Sequence, residues 1–243
     1  MIHHTKGIVL RSIKYGETSL VVNIFTELFG IQSYMVNGVR TQGKNVKAHY
    51  YQPSSILDLH VYHNTLKNLQ RIKEVKWNYL YKSILSDVTR NAVALYMVEL
   101  IHKCLKQPEN NIAMFQYAED ALMALDVATE AITANFPIYF SIQMAHLMGF
   151  SIQDTYSDKF PILDLEEGRF ISVRPHHRNF VEGDQSYYIS QLMKTMHPDE
   201  LNQIRINKTT RREILSSFQL FYALHMPEFG VMKTVPVLQE LLS

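Results

Sequence analysis

Arg40, Lys44 and Lys47 fall within the glycine-containing stretch GVRTQGKNVKAHYYQ, beside His49, Tyr50 and Tyr51. Closely spaced cations neutralise phosphates and adjacent rings stack on unpaired bases, so this combination reads as a nucleic-acid-contacting loop. A solvated loop whose lysines maintain solubility has the same composition. Arg11 and Lys14, in the run that precedes it, extend the cationic set. Arg11, Lys14, Arg40, Lys44, Lys47 and Tyr50 are therefore the residues expected to hold nucleic acid. Charge balance favours contact over mere solvation. Residues 1–80 carry ten Lys and Arg against four acids, a net of +6, which leaves −5 for residues 81–243 and makes the near-neutral chain bipolar.

Other residues offer weaker chemistry. Arg174 and Arg178, and Arg211 and Arg212, are candidates for a secondary anion or partner contact. Asp164, Glu166 and Glu167 could bind the divalent ion of a nuclease, but acids in a turn-rich stretch are usually solvated. His176 and His177 are adjacent, and no cysteine or H-x-x-x-H spacing completes a metal site around them. The lone Cys104 lies in an apolar helical pattern as a buried thiol, and one cysteine makes neither an internal disulfide nor a two-cysteine zinc site. The Gly38 to Gly43 spacing lacks the G-K-S/T ending of a phosphate loop, and no G-x-S-x-G or H-E-x-x-H is present. Binding is favoured over catalysis, with no cofactor and no metal expected.

The elements that must position these groups change character along the chain. Up to about residue 78 apolar residues alternate (Ile8 and Leu10; Leu20, Val22 and Ile24; Tyr34 and Val36; Leu57, Leu59 and Val61), with glycines between the runs. Four or five short strands without an intervening helix predict a closed or nearly closed barrel of OB-like or SH3-like type. Leu66, Leu69, Ile72 and Val75 recur every three residues, which fits a helix better than a last strand. Trp77 reads as a packing residue between the barrel and the helical region after it.

From residue 79 the period becomes helical. Helices are expected over 79–106, over 111–134, and from Pro137 to Gly149, forming a bundle over 79–150. Residues 151–181 break the pattern, with one short strand candidate at Arg169 to Val173. Residues 182–243 return to helices at 183–195, 199–205, after a T-x-x-E capping box at Thr210 to Glu213, and at 234–242. At 243 residues and 47% apolar, with no apolar run of membrane-spanning length and no signal core, the chain reads as a globular cytoplasmic protein.

The run TKGIVLRSIKYGETSLVVNIFTELFGIQSYMVNGVR resembles the opening of the bacterial RecO family of DNA repair and recombination mediators, with its G-I-V-L, Y-G-E-x-S and F-T-x-x-x-G arrangement. The resemblance continues through QPSSILDLHVY and reaches Arg211, Arg212, Glu213, Tyr222, His225, Lys233 and Val237. It implies an α+β chain: a five-stranded OB-like barrel over 1–78, which makes 69–75 a strand, then a mainly helical domain. It further implies binding of single- and double-stranded DNA without sequence specificity, annealing of complementary strands, and help in loading recombinase onto coated single strands. Implied partners are RecR, the C-terminal tail of single-stranded-DNA-binding protein and, functionally, RecA, at the nucleoid. Two departures stand out. Residues 153–175 hold Tyr156, Asp158 and Phe160 where relatives carry zinc cysteines, so that subregion is expected to be metal-free; Asn37 stands where a lysine is usual. The alternatives are a protein-recognition adaptor with incidental DNA affinity and a metal-dependent nuclease.

Overall fold

The computed structural model describes residues 1–39, 47–106 and 108–242. Its N-terminal strands are β1 (Ile2–Tyr15), β2 (Ser19–Thr26), β3 (Gly30–Val36), β4 (Ile56–Tyr62) and β5 (Leu69–Trp77). They close into a barrel in the order β1-β2-β3-β5-β4, antiparallel throughout except for the parallel β3–β5 pair. Closure leaves no unpaired edge.

The three-residue period near Ile72 comes from a bulge rather than a helix. Leu59 faces Val75 and Val61 faces Ile72, with a register shift between them. An inserted residue lets two side chains three apart both point inward, and Ile72 and Val75 both pack on the barrel interior. That interior is Val9, Leu20, Val22, Ile24, Tyr34, Val36, Leu57, Leu59 and Val61, joined by Val39 and Tyr51.

Two compact units divide the chain: Met1–Lys82 with Ile101–Met123, and Ser83–Leu100 with Ala124–Ser243. In the first, the outward-facing Ile8, Phe25 and Ile56 are fully buried, and Phe115 from helix α2 (Ile112–Val127) sets its ring 5.4 Å from that of Phe25. The second holds most of α1 (Val88–Cys104), then α3 (Glu130–Leu147), α4 (Asp184–Met193), α5 (Lys208–His225) and α6 (Thr234–Leu241). It also contains a three-stranded antiparallel sheet of β6 (Ile162–Asp164), β7 (Arg169–Ile171) and β8 (Phe180–Val181), in the order β7-β6-β8. The segment read as irregular with one strand is thus organised by three. Pro198–Gln203 is a 3₁₀ turn.

Three expected helix boundaries are corrected. The first helix starts at Val88, not 79: the buried Asp126 accepts the Ser83 and Ile84 N–H groups at 2.8 and 3.0 Å, holding that stretch in a turn. Asp87 then accepts the Arg90 N–H at 2.8 Å, as an N-cap does. The expected 111–134 helix is broken after Val127, and α3 begins at Glu130 under the Thr129 cap, with Pro137 inside it rather than at its start. Finally, α5 begins at Lys208 because Asn207 accepts the Thr210 N–H at 2.9 Å, so Thr210 is a buried helical residue and heads no capping box. Asn207→Ala is expected to lower stability by about 1 kcal/mol, read from the urea midpoint.

Among the described residues, no helix is long and apolar enough to cross a membrane.

Candidate nucleic-acid interface

Strand register decides which side chains share the outer wall of the barrel. Alternate residues of a strand point to opposite faces, so the partners of interior residues define the inside and their neighbours the outside. On that basis Arg11 on β1 lies outside, opposite Asn23, which in turn lies opposite Ser33. The next row runs Ile13, Val21 and Met35, then Arg71 across the parallel pair, then Tyr62. Ile13, Tyr15, Tyr62 and Leu69 are exposed hydrophobics on or beside these rows, flanked by the exposed Arg11 and Arg71. Cations at both ends of a wall with exposed rings and apolar side chains match what a single strand needs: charge for its backbone and flat surfaces for its bases.

Other cationic side chains of the barrel are occupied. Lys6 reaches the buried Glu119 carboxylate on α2, its Nζ 3.0 and 2.7 Å from the two oxygens, and that hydrogen bond raises its pKa. Along β1, β4 and β5, His4 pairs with Asp58, while His60 Nδ1 and Lys76 Nζ each lie 3.3 Å from Glu74. The Lys76 contact holds the Glu74 carboxyl below its usual range. Among the described residues Arg11, Lys14, Lys67, Arg71 and Lys73 have no carboxylate partner, so the barrel's cations are not equally available.

The residues singled out from sequence scatter across this surface. Arg11 stands on the open wall. Lys14 is exposed but sits opposite the interior Leu20, and so belongs to the other face of β1. The bulge between Val9 and Arg11 resets the alternation, and Ser12 turns to donate to the Tyr51 carbonyl. Arg40 and Lys44 lie outside the described residues, as does the Lys47 side chain. Half-buried Tyr50 is packed against rings, its centroid 4.5 Å from that of His49 and 5.0 Å from that of Trp77. Trp77 packs on the barrel interior together with Tyr50. Arg71 and Tyr62 were not singled out by the sequence. Their common signal was an exposed position at a strand end, but the β3–β5 pairing that joins them to Met35 is visible only in the fold.

Of the second arginine set, Arg174 makes a two-point contact to Glu182 at 2.8 and 2.5 Å. Arg211 donates to the Ile206 and Leu242 carbonyls at 2.8 and 3.1 Å and to Asn135 Oδ1 at 3.3 Å, and burial lowers its pKa. Arg212 donates to the Gln239 carbonyl at 2.5 Å. Arg178 is exposed, with no such partner among the described residues.

The acids of the 151–181 segment diverge. Asp164 is buried, with one oxygen accepting the Glu166 and Glu167 N–H groups and the other 3.2 Å from His177 Nε2. Glu167 pairs with Arg169 at 2.6 Å, and Glu166 accepts from Asn179 at 2.8 Å. Among the described residues, no three His, Cys, Asp or Glu side chains converge as metal ligands. A four-thiolate zinc module does not fit this chain, whose single cysteine is buried in α1 with its thiol pushed up to about 12.

Comparison with known proteins covers nearly the whole length. Residues 1–81 match the family description "Recombination protein O N terminal" and residues 85–233 match "Recombination protein O C terminal". The chain is 30% identical over 244 residues to the DNA repair protein RecO of Bacteroides fragilis, covering 99% of each. It is 27% identical over 240 residues to that of Azobacteroides pseudotrichonymphae, again covering 99% of each, and 30% identical to that of Flavobacterium psychrophilum, covering 98% of each. With both family halves matched in order behind a closed five-stranded barrel, the chain belongs to the RecO family of DNA repair proteins.

Proposed function

We propose that the chain is a DNA-binding recombination mediator that works without catalysis of its own. Residues 1–78 would serve as the nucleic-acid-binding domain, gripping single and double strands through their phosphates and hence without sequence preference. The observation that carries this reading is the open barrel wall, where Arg11 and Arg71 have no carboxylate partner among the described residues and flank exposed Ile13 and Tyr62. Arg40, Lys44 and Lys47, close together in the sequence, and Lys14 on the other face of β1 would supply further cations. Neutralising the phosphates of two strands held near one another reduces their repulsion while the bases stay free to pair, which is the physical requirement for annealing. Family membership supports the further steps: association with RecR, capture of the tail of single-stranded-DNA-binding protein, and assistance in loading RecA in the cytoplasm at the nucleoid.

The test is a titration of labelled oligonucleotide at 50 and 200 mM salt. Affinity for a single strand is expected to fall linearly in log–log form, and Arg11→Ala to reduce the slope by about 0.7, the loss of one phosphate contact. A protein-recognition adaptor would instead show weak affinity and no change of slope in that variant.

A further inference from the structure

A recess of about 550 Å³ opens on the barrel where β3 meets β5 and β4 turns into β5, lined by Met35, Tyr62, Asn64, Lys67, Leu69 and Arg71 among others. Its volume is within the range of about 300–1,000 Å³ typical of small-ligand sites. We propose that this recess seats one unpaired nucleobase of a DNA strand against Tyr62, with an adjoining phosphate held by Lys67 and Arg71. The inference rests on the DNA-binding reading above and adds what that reading lacks, a reason to prefer single strands.

The chemistry of the lining suits a nucleotide rather than a purely apolar or purely anionic ligand. Tyr62 is 46% exposed and directly opposite Arg71 on the neighbouring strand, so a flat ring and a guanidinium stand side by side. Met35 and Leu69 supply apolar contact for a base face. Asn64 uses its side-chain oxygen to accept the Leu66 N–H at 2.9 Å, and its NH₂ is a donor pair for the acceptor edge of a base. Lys67 and Arg71 have no carboxylate partner among the described residues, whereas Lys76 on the same strand is tied to Glu74.

The floor is built in advance. Gln70, only 3% exposed, accepts the Asn64 N–H at 3.0 Å and donates to the Asn64 and Lys67 carbonyls at 2.9 and 2.5 Å. One buried amide thus pins both ends of the β4–β5 turn that carries Asn64 and Lys67. Beneath it His63 stacks on Phe29, ring centroids 4.0 Å apart and planes 12° from parallel. Burial lowers the His63 pKa, so this support is neutral near pH 7 and places no charge under the base. A site ordered before binding loses little entropy on occupation. In a duplex the base would have to leave its stack to enter, at an energetic cost that a single strand avoids.

The test uses the full chain and compares a labelled oligothymidylate with a duplex of equal length. Tyr62→Ala is expected to weaken single-strand binding about tenfold, the typical loss of one stacked base, while duplex affinity stays within about twofold. Tyr62→Phe keeps the ring and should bind the single strand as the unaltered chain does. Arg71→Ala should weaken both forms and reduce the single-strand salt slope by about 0.7. Full single-strand affinity in Tyr62→Ala, or an equal loss on duplex, would overturn the base pocket and leave general DNA binding standing. Displacement of the oligonucleotide by thymidine monophosphate at comparable concentrations would assign the recess to free nucleotide instead, also overturning the proposal. Failure of the unaltered chain to bind either form would sink the underlying DNA reading as well.

Discussion

Gly30→Ala is expected to cost about 2–5 kcal/mol of stability, the larger of two glycine effects that look alike from the backbone angle alone. Gly30 opens β3 at φ +62°, and a Cβ there would lie 2.1 Å from the Glu109 carbonyl oxygen and 2.7 Å from its carbon. Both are backbone atoms, so relief requires moving a chain segment rather than swinging a side chain. On the facing segment, Asn111 anchors the start of α2 by accepting the Met114 N–H at 3.0 Å. On the Gly30 side, the fully buried Thr26 donates to the Gly30 carbonyl at 2.8 Å and is also its ladder partner. The positive φ contributes about 1–2 kcal/mol and the overlap a further 1–3 kcal/mol. Gly16→Ala is the control, because Gly16 has φ +59° but nothing within 4 Å of its Cβ position. It should lose only the first contribution, about 1–2 kcal/mol, by urea denaturation. Equal losses in the two variants would show that the Glu109 segment yields freely.

How far the sequence disclosed this molecule depended on whether each feature was local. In β1 Val9 lines the interior and the outward-facing Ile8 is buried as well, but strands β2 to β4 announced themselves by alternation because over most of their length one face is buried more deeply than the other, a pattern that lies within the strand itself. Strand β5 did not, because its bulge brings Ile72 and Val75 inward three residues apart and imitates a helical period. The start of α1 was misplaced for a similar reason. Leu80, Ile84 and Val88 keep helical spacing, yet Leu80 and Val88 are 66% and 70% exposed while Ile84 is buried, and the turn before the helix is held by Asp126, some forty positions away. Charge counting overstated the available cations, since Lys6 is neutralised by Glu119 across 113 residues of chain. Grouping cations by nearness in sequence drew attention to Arg40, Lys44 and Lys47. The parallel β3–β5 pairing that sets Arg71 beside Met35 and Tyr62 is a relation between distant segments, which no local pattern encodes.

The basic stretch chosen on composition nevertheless carries the larger functional prediction. If Arg40, Lys44 and Lys47 each contact one phosphate of a single strand, each contact displaces about 0.7 of a condensed counterion. At 50 mM salt that release favours binding by about 1.2 kcal/mol per contact, and at 200 mM by about 0.7 kcal/mol. Changing all three to alanine is therefore expected to weaken single-strand binding several hundredfold at the lower salt and about thirtyfold at the higher, with the salt slope reduced by about 2. The fold should be unaffected, because the barrel interior is built from β1 to β5 together with Val39 and Tyr51, which flank the three substituted positions. The same titration separates this stretch from the wall bearing Arg11 and Arg71. Loss of slope in the triple variant with no loss in Arg11→Ala or Arg71→Ala would place the phosphates on the stretch alone. Losses in all three would mean that a strand runs from it across the open wall toward Tyr62. An unchanged affinity and slope in the triple variant would return those cations to the role of solubilising charge and leave the barrel wall as the DNA surface.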